Sequence, residues 1–152
     1  MIDVENLVFN TVYDAVHAVY PDVNVEKGFN EELATFPCVV IRETNNVPVQ
    51  RTITDDCAEN HTQITYQVDV YSDKAGTART ECKELLKVVD DAMTDVSSMK
   101  FRRTHTSEAL NIKRTIFRQY ARYTVIVGKG VTTSETVDGE VVTTTTFQMY
   151  RR

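Results

Sequence analysis

Between His61 and Tyr71 the chain alternates without a break. Thr62, Ile64, Tyr66, Val68 and Val70 fall on one side, and His61, Gln63, Thr65, Gln67 and Asp69 on the other. A period of two is the spacing at which successive side chains of a strand point to opposite faces. One apolar face and one wet face favour an antiparallel sheet. The period then changes. In "SDKAGTARTECKELLKVVDDAM", Ala78, Cys82, Leu85, Leu86, Val89 and Met93 recur at spacings of three and four, which predicts an amphipathic helix ending near Met93. A strand with one apolar face followed by a helix with one apolar stripe restricts the chain to architectures in which helices cover a side of a sheet.

The flanking segments extend this pattern. Val4, Leu7, Val8, Ala15, Val16 and Val19 lie near one helical face, Asp3 is placed to accept from the first free backbone N–H groups, and Pro21 stops the run. A helix is expected over about Val4–Val19. The β-branched run "FPCVVIRE" reads as a strand, and the polar stretch from Thr44 to Asn60 as a long loop. Two further strands are expected, from Met99 to His105 and from about Lys113 to Val127. In the second, Thr115, Phe117, Ala121, Tyr123, Val125 and Val127 share one face, opposite Arg114, Arg118, Tyr120 and Arg122.

Beyond it, "TTSETVDGEVVTTTT" centres on Asp138-Gly139, a tight-turn signal between segments of high strand propensity. Threonine supplies that propensity without apolar surface, and a hairpin that buries nothing is marginal alone. The expectation is an α+β fold: a two-layer, four-stranded, mainly antiparallel sheet packed by two helices, over residues 1–130, and a C-terminal β-hairpin arm over residues 131–152. The core is expected to close without the hairpin.

No apolar run approaches the ~18 residues a membrane helix needs, and the N-terminus has no basic segment followed by an apolar one, so the chain reads as soluble and not secreted. Cys38, Cys57 and Cys82 form no CxxC pair, which fits free thiols in a reducing compartment, Cys57 being the most reactive because it lies in a polar loop. Charge is uneven. Residues 1–100 hold 8 Lys+Arg against 18 Asp+Glu, and residues 101–152 hold 9 against 4. The two portions therefore suggest surfaces of opposite sign.

Candidate chemistry is thin. Asp90-Asp91 sits on the polar side of a helix. Asp55, Asp56, Glu59 and His61 match no cation-loop spacing. His17, His61 and His105 fall on different elements, and Cys38 in an apolar run carries a raised pKa. No nucleophile elbow, P-loop, dinucleotide fingerprint or zinc spacing occurs. No catalytic residue, cofactor or metal site is expected. The Arg114/Arg118/Arg122 row, with Arg102, Arg103 and Lys113 nearby and Tyr120 as a stacking residue, suits either a single-stranded nucleic acid or the acidic surface of a protein partner; protein contact is the reading preferred.

The order of elements, with "FPCVVIRE", a long polar loop, "TYQVDVYSDKAG", a helix ending "VVDDAM" and a strand containing "RQYARYTVIV", resembles the tail-completion or tail-terminator proteins of long-tailed phages. The resemblance covers roughly Met1 to Lys129. Where such proteins commonly carry a Gly-Phe turn after "DDAM", this chain has "TDVSSMKF". The resemblance implies a virion protein assembled in the host cytoplasm: a ring of itself, usually six copies, on the head-proximal end of the tail tube. Its implied partners are the tube protein and a neck or head-completion protein, with DNA passing through the ring. A head-completion or neck connector protein is the neighbouring alternative. A closed ring needs one surface to meet a different surface of the next copy. The residues expected at such a subunit or tube interface are Arg114, Arg118, Tyr120 and Arg122 on the strand, and Thr133, Val137, Val141, Thr143 and Phe147 on the hairpin.

Overall fold

A computed structural model describes residues 1–28, 35–55, 59–109, 115–137 and 140–151. The first helix, α1 (Glu5–Val19), buries Val8, Val12 and Val16, one residue per turn. Asp3 Oδ1 accepts from the Glu5 N–H at 2.9 Å, satisfying one free donor of the first turn. The buried stripe also takes in Val4 but excludes Leu7 and Val19, both exposed, so the apolar face is narrower than the sequence implied. In α2 (Ala78–Thr94) the stripe is the expected one: Cys82, Leu85, Leu86, Val89 and Met93 are buried.

The sheet has six strands, not four: β1 (Asn24–Lys27), β2 (Cys38–Pro48), β3 (His61–Ser72), β4 (Arg102–Ala109), β5 (Phe117–Val137) and β6 (Glu140–Tyr150). Their order is β1-β2-β3-β5-β4, with β6 also paired to β5. The β1–β2 pair is parallel and the others antiparallel, so the sheet is mixed. β1 escaped sequence reading because it is four residues long and buries only Val25. The expected loop from Thr44 is strand as far as Pro48. A bulge between Glu43 and Asn45 shifts the register, and Asn46 is then held to the core side by Thr62 Oγ1, which donates to Asn46 Oδ1 at 2.8 Å.

The helices and one face of the sheet form one core. Val39 and Ile41 of β2, Ile64, Tyr66, Val68 and Val70 of β3, and Ala121, Tyr123, Val125 and Val127 of β5 join Val8, Val12, Val16 and the α2 stripe. Met99 and Phe101, expected within a strand, instead plug this core just before β4 begins, where Phe101 N–H donates to the Met93 carbonyl at 2.9 Å. Cys82 sits in the core and Cys38 on the opposite face. Both are free, and burial first, with Glu81 and Glu26 adding, pushes each thiol up to about 12. Cys57 lies outside the described residues.

The largest departure from expectation is at the C-terminus. β5 does not stop near Val127 but continues to Val137, making a strand of 21 residues, and β6 returns along it. The root of β6 reaches the body: Met149 is buried in the main core and Phe147 packs against it. The core is therefore completed by a residue beyond 130. Between Gly128 and Val131 the register slips, so that Lys129 and Gly130 stand opposite Phe147 alone. A Cβ on Gly130 would lie 2.7 Å from Thr145 Cγ2 and 3.0 Å from the Phe147 ring, so any side chain here forces Thr145 or Phe147 to shift. The expected turn at Asp138-Gly139 lies outside the described residues.

Candidate functional site

The sheet face turned away from the core bears Cys38, Val40 and Arg42 on β2, Tyr71, Asp69 and Gln67 on β3, Arg118, Tyr120 and Arg122 on β5, and Ser107 and His105 on β4; cross-strand register puts them side by side. The alternation in β3 predicted this side to be wet. It is not: Gln67 is 3% and Asp69 2% exposed. A carboxylate held this far from water is stable only when its charge is met.

It is met by arginine. Arg118 donates through Nε at 2.9 Å and Nη2 at 2.7 Å to Asp69 Oδ1, and Arg42 Nε stands 3.7 Å from Oδ2. Gln67 Nε2 donates to both carboxylate oxygens at 3.2 and 3.0 Å, while its own carbonyl accepts from Arg122 Nε at 3.0 Å. Thus Gln67 links the Asp69–Arg118 pair to Arg122. The Arg118 guanidinium lies 5.5 Å from the Tyr71 ring centre and Arg122 5.8 Å from that of Tyr120. Tyr120 Oη is 3.3 Å from His105 Nε2. Burial alone would lower the Arg118 pKa, but its hydrogen bonds and charge contact with Asp69 outweigh that and raise it. The Tyr71 hydroxyl is raised by burial and then by the Asp69 charge. The network locks charges into fixed positions.

At one end of this face lies a small second apolar cluster of Cys38, Val40 and Tyr71, with Phe36 and Ile116 packed on it. The other end carries the exposed cations Arg122 and, one step beyond His105 along β4, Arg102. Arg103 points to the helix side, where Nη1 pairs with Asp90 Oδ2 at 2.8 Å.

The expected site residues therefore divide. Arg118, Tyr120 and Arg122 share this open face; Arg114 lies outside the described residues. Thr133, Val137, Val141 and Thr143 lie on the exposed part of the hairpin, and Phe147 at its root. Asp69 and Gln67, which organise the arginines, were read only as solvent-facing. The available signal was a lone acid in mid-strand and a basic row on another strand, but pairing them needs the topology. Among the described residues no three His, Cys, Asp or Glu side chains gather as a metal site, and no helix is long and apolar enough to cross a membrane.

The hairpin beyond Gly130 is an arm of two strands. Thr132 Oγ1 and Thr145 Oγ1 are 3.1 Å apart and Ser134 Oγ and Thr143 Oγ1 3.3 Å apart, so hydroxyl pairs bridge it along one side. Every described residue from Val131 to Thr146 is exposed. Among the described residues, β5 past Gly130 pairs only with β6, and β6 only with β5, so both outer backbone edges of the arm are open.

A search of curated proteins finds no significant match. The family described as Tail completion protein gp17 matches residues 12–115, from within α1 to just before β5, leaving the arm outside. Because that match spans more than half of the 152 residues, the chain belongs to this family of structural proteins of phage tails.

Proposed function

We propose that the protein closes the phage tail as a ring, of six copies, at the head-proximal end of the tube, where it ends tube growth and presents a surface to the neck. Its role is assembly, not catalysis. The observation that carries this reading, beside the family, is the arm: a projecting two-stranded ribbon with both backbone edges open. Strand edges recruit other chains by backbone hydrogen bonding, and threonine keeps such an edge soluble until its partner arrives. A ring of identical copies requires unlike surfaces to meet, and the sheet face and the arm are two such surfaces on one subunit.

Individual contacts between exposed charges contribute little in salt. The tube is expected to supply the template by raising the effective concentration of subunits. Imaging of tails assembled with and without the protein tests the reading. Expected are tubes of uniform length capped at the head-proximal end when it is present, and overlong tubes when it is absent. Uniform tubes without it, or the protein bound elsewhere on the particle, overturn the proposal.

A further inference from the structure

The positive charge of the C-terminal third is not on the arm. Residues 131–148 contain three acids, Glu135, Asp138 and Glu140, and no Lys, Arg or His. The cations of this third lie before residue 131 and after residue 148. The register divides the arm into two unlike faces. Val131, Thr133, Glu135 and Val137 of β5 share a face with Thr146, Thr144, Val142 and Glu140 of β6, whereas Thr132, Ser134 and Thr136 share the other with Thr145, Thr143 and Val141. The first face thus combines three valines, 59%, 52% and 48% exposed, with two carboxylates.

The open face of the sheet is its complement in charge and polarity. It offers the half-buried Phe36 and Ile116, packed over Cys38, Val40 and Tyr71, at one end, and Arg122, Arg102 and His105 at the other. Asp69 neutralises Arg118, while Arg122 has no carboxylate partner among the described residues. We infer that the valine–glutamate face of the arm docks across the arginine-bearing open sheet face of a second copy of this chain. The arm does not lie on its own sheet face: every described residue from Val131 to Thr146 is exposed. Seven residues of strand span roughly 23 Å, enough to cross four strands spaced about 4.8 Å apart. This inference rests on the ring reading only in taking the partner to be a second copy.

The test is disulfide trapping in the full chain with Cys57→Ser, Val142→Cys on the arm and His105→Cys on the sheet face. The expected result under mild oxidation at low salt, with concentrated protein and with tail tubes, is a ladder of cross-linked copies that either single cysteine variant fails to give. Adding Glu135→Lys and Glu140→Lys should lower the yield at least tenfold, and Arg102→Glu with Arg122→Glu in the same chain should restore it. The arm substitutions fall on exposed residues, so folding is not at stake there, and loss of the ladder of the unreversed pair in molar salt is an independent readout. No ladder, a ladder indifferent to charge reversal, or Val142→Cys joined only to the tube protein overturns the docking. Tube length separates the two claims: a ladder with uniform tubes in the protein's absence removes the terminator reading alone, and overlong tubes without a ladder remove the docking alone.

Discussion

Residues 117–127 and 131–137 belong to one strand, with the same pairing rule along its whole length, yet they share almost nothing else. In the first part β5 lies between β3 and β4, and Ala121, Tyr123 and Val125 are fully buried. In the second it has β6 alone, and every residue is exposed. Backbone pairing makes a strand in both; only the first has a second neighbour and a helix layer to remove its side chains from water. Hydrogen bonding gives shape here, and burial decides which part is body and which is arm.

The largest test of that division is to end the chain after Gly130. This removes Met149 from the core and the partner of Ile126–Gly128. The expected loss is about 5 kcal/mol, from roughly 2–3 for a buried methionine, about 1–2 for the packed Phe147 and ~1 per lost backbone bond, read by urea denaturation. Excising only Val131–Phe147 keeps Met149 and joins the paired Gly128 and Gln148 through Lys129–Gly130, a two-residue connection. That variant should lose about 1–2 kcal/mol, from Phe147 alone, and unfold cooperatively. Equal losses in the two would break the comparison.

Next in size is Asp69→Ala. It leaves Arg118 beside a void with its partner gone, at a cost of about 3 kcal/mol, and so shows that the open face of the first part is structurally committed. For the same reason Arg118→Glu is expected to disturb the fold as well as any contact, whereas Arg122→Glu tests contact more cleanly. At the junction, Gly130→Ala should cost about 1–3 kcal/mol through the clash with Thr145 and Phe147, and should speed proteolysis within the arm. Smallest is Val141→Thr, 71% exposed, with an expected change in stability within about 0.5 kcal/mol.

What the sequence made legible follows from periodicity. The α2 stripe stands in the structure, and the β3 alternation gives the strand and its core face but not the wet opposite face it implied. The α1 face was blurred because Leu7 and Val19 are apolar residues left in solvent. β1 is too short to show a period, and the outer part of β2 is polar because it lies where few side chains are covered. The strand expected to end near Val127 runs on because Lys129-Gly130, at the expected boundary, form a bulge inside it. The arginine row was visible as such, but its anchor was not. Asp69 and Arg118 are 49 residues apart in sequence, and nothing local distinguishes a buried, paired aspartate from a wet one.

The bulge opposite Phe147 also bears on how the ribbon finds its alignment. Thr143 to Thr146 are four threonines in a row facing Val131, Thr132, Thr133 and Ser134. Sliding one strand by two residues in one direction would still set Thr143, Thr145 and Thr146 against Thr136, Ser134 and Thr133, so the threonine run discriminates weakly between alignments. The root discriminates better, because the same slide would draw Met149 out of the core and Phe147 away from Gly130. The arm thus carries a repetitive scale whose zero is set at one end, by Met149 and Phe147 at the root.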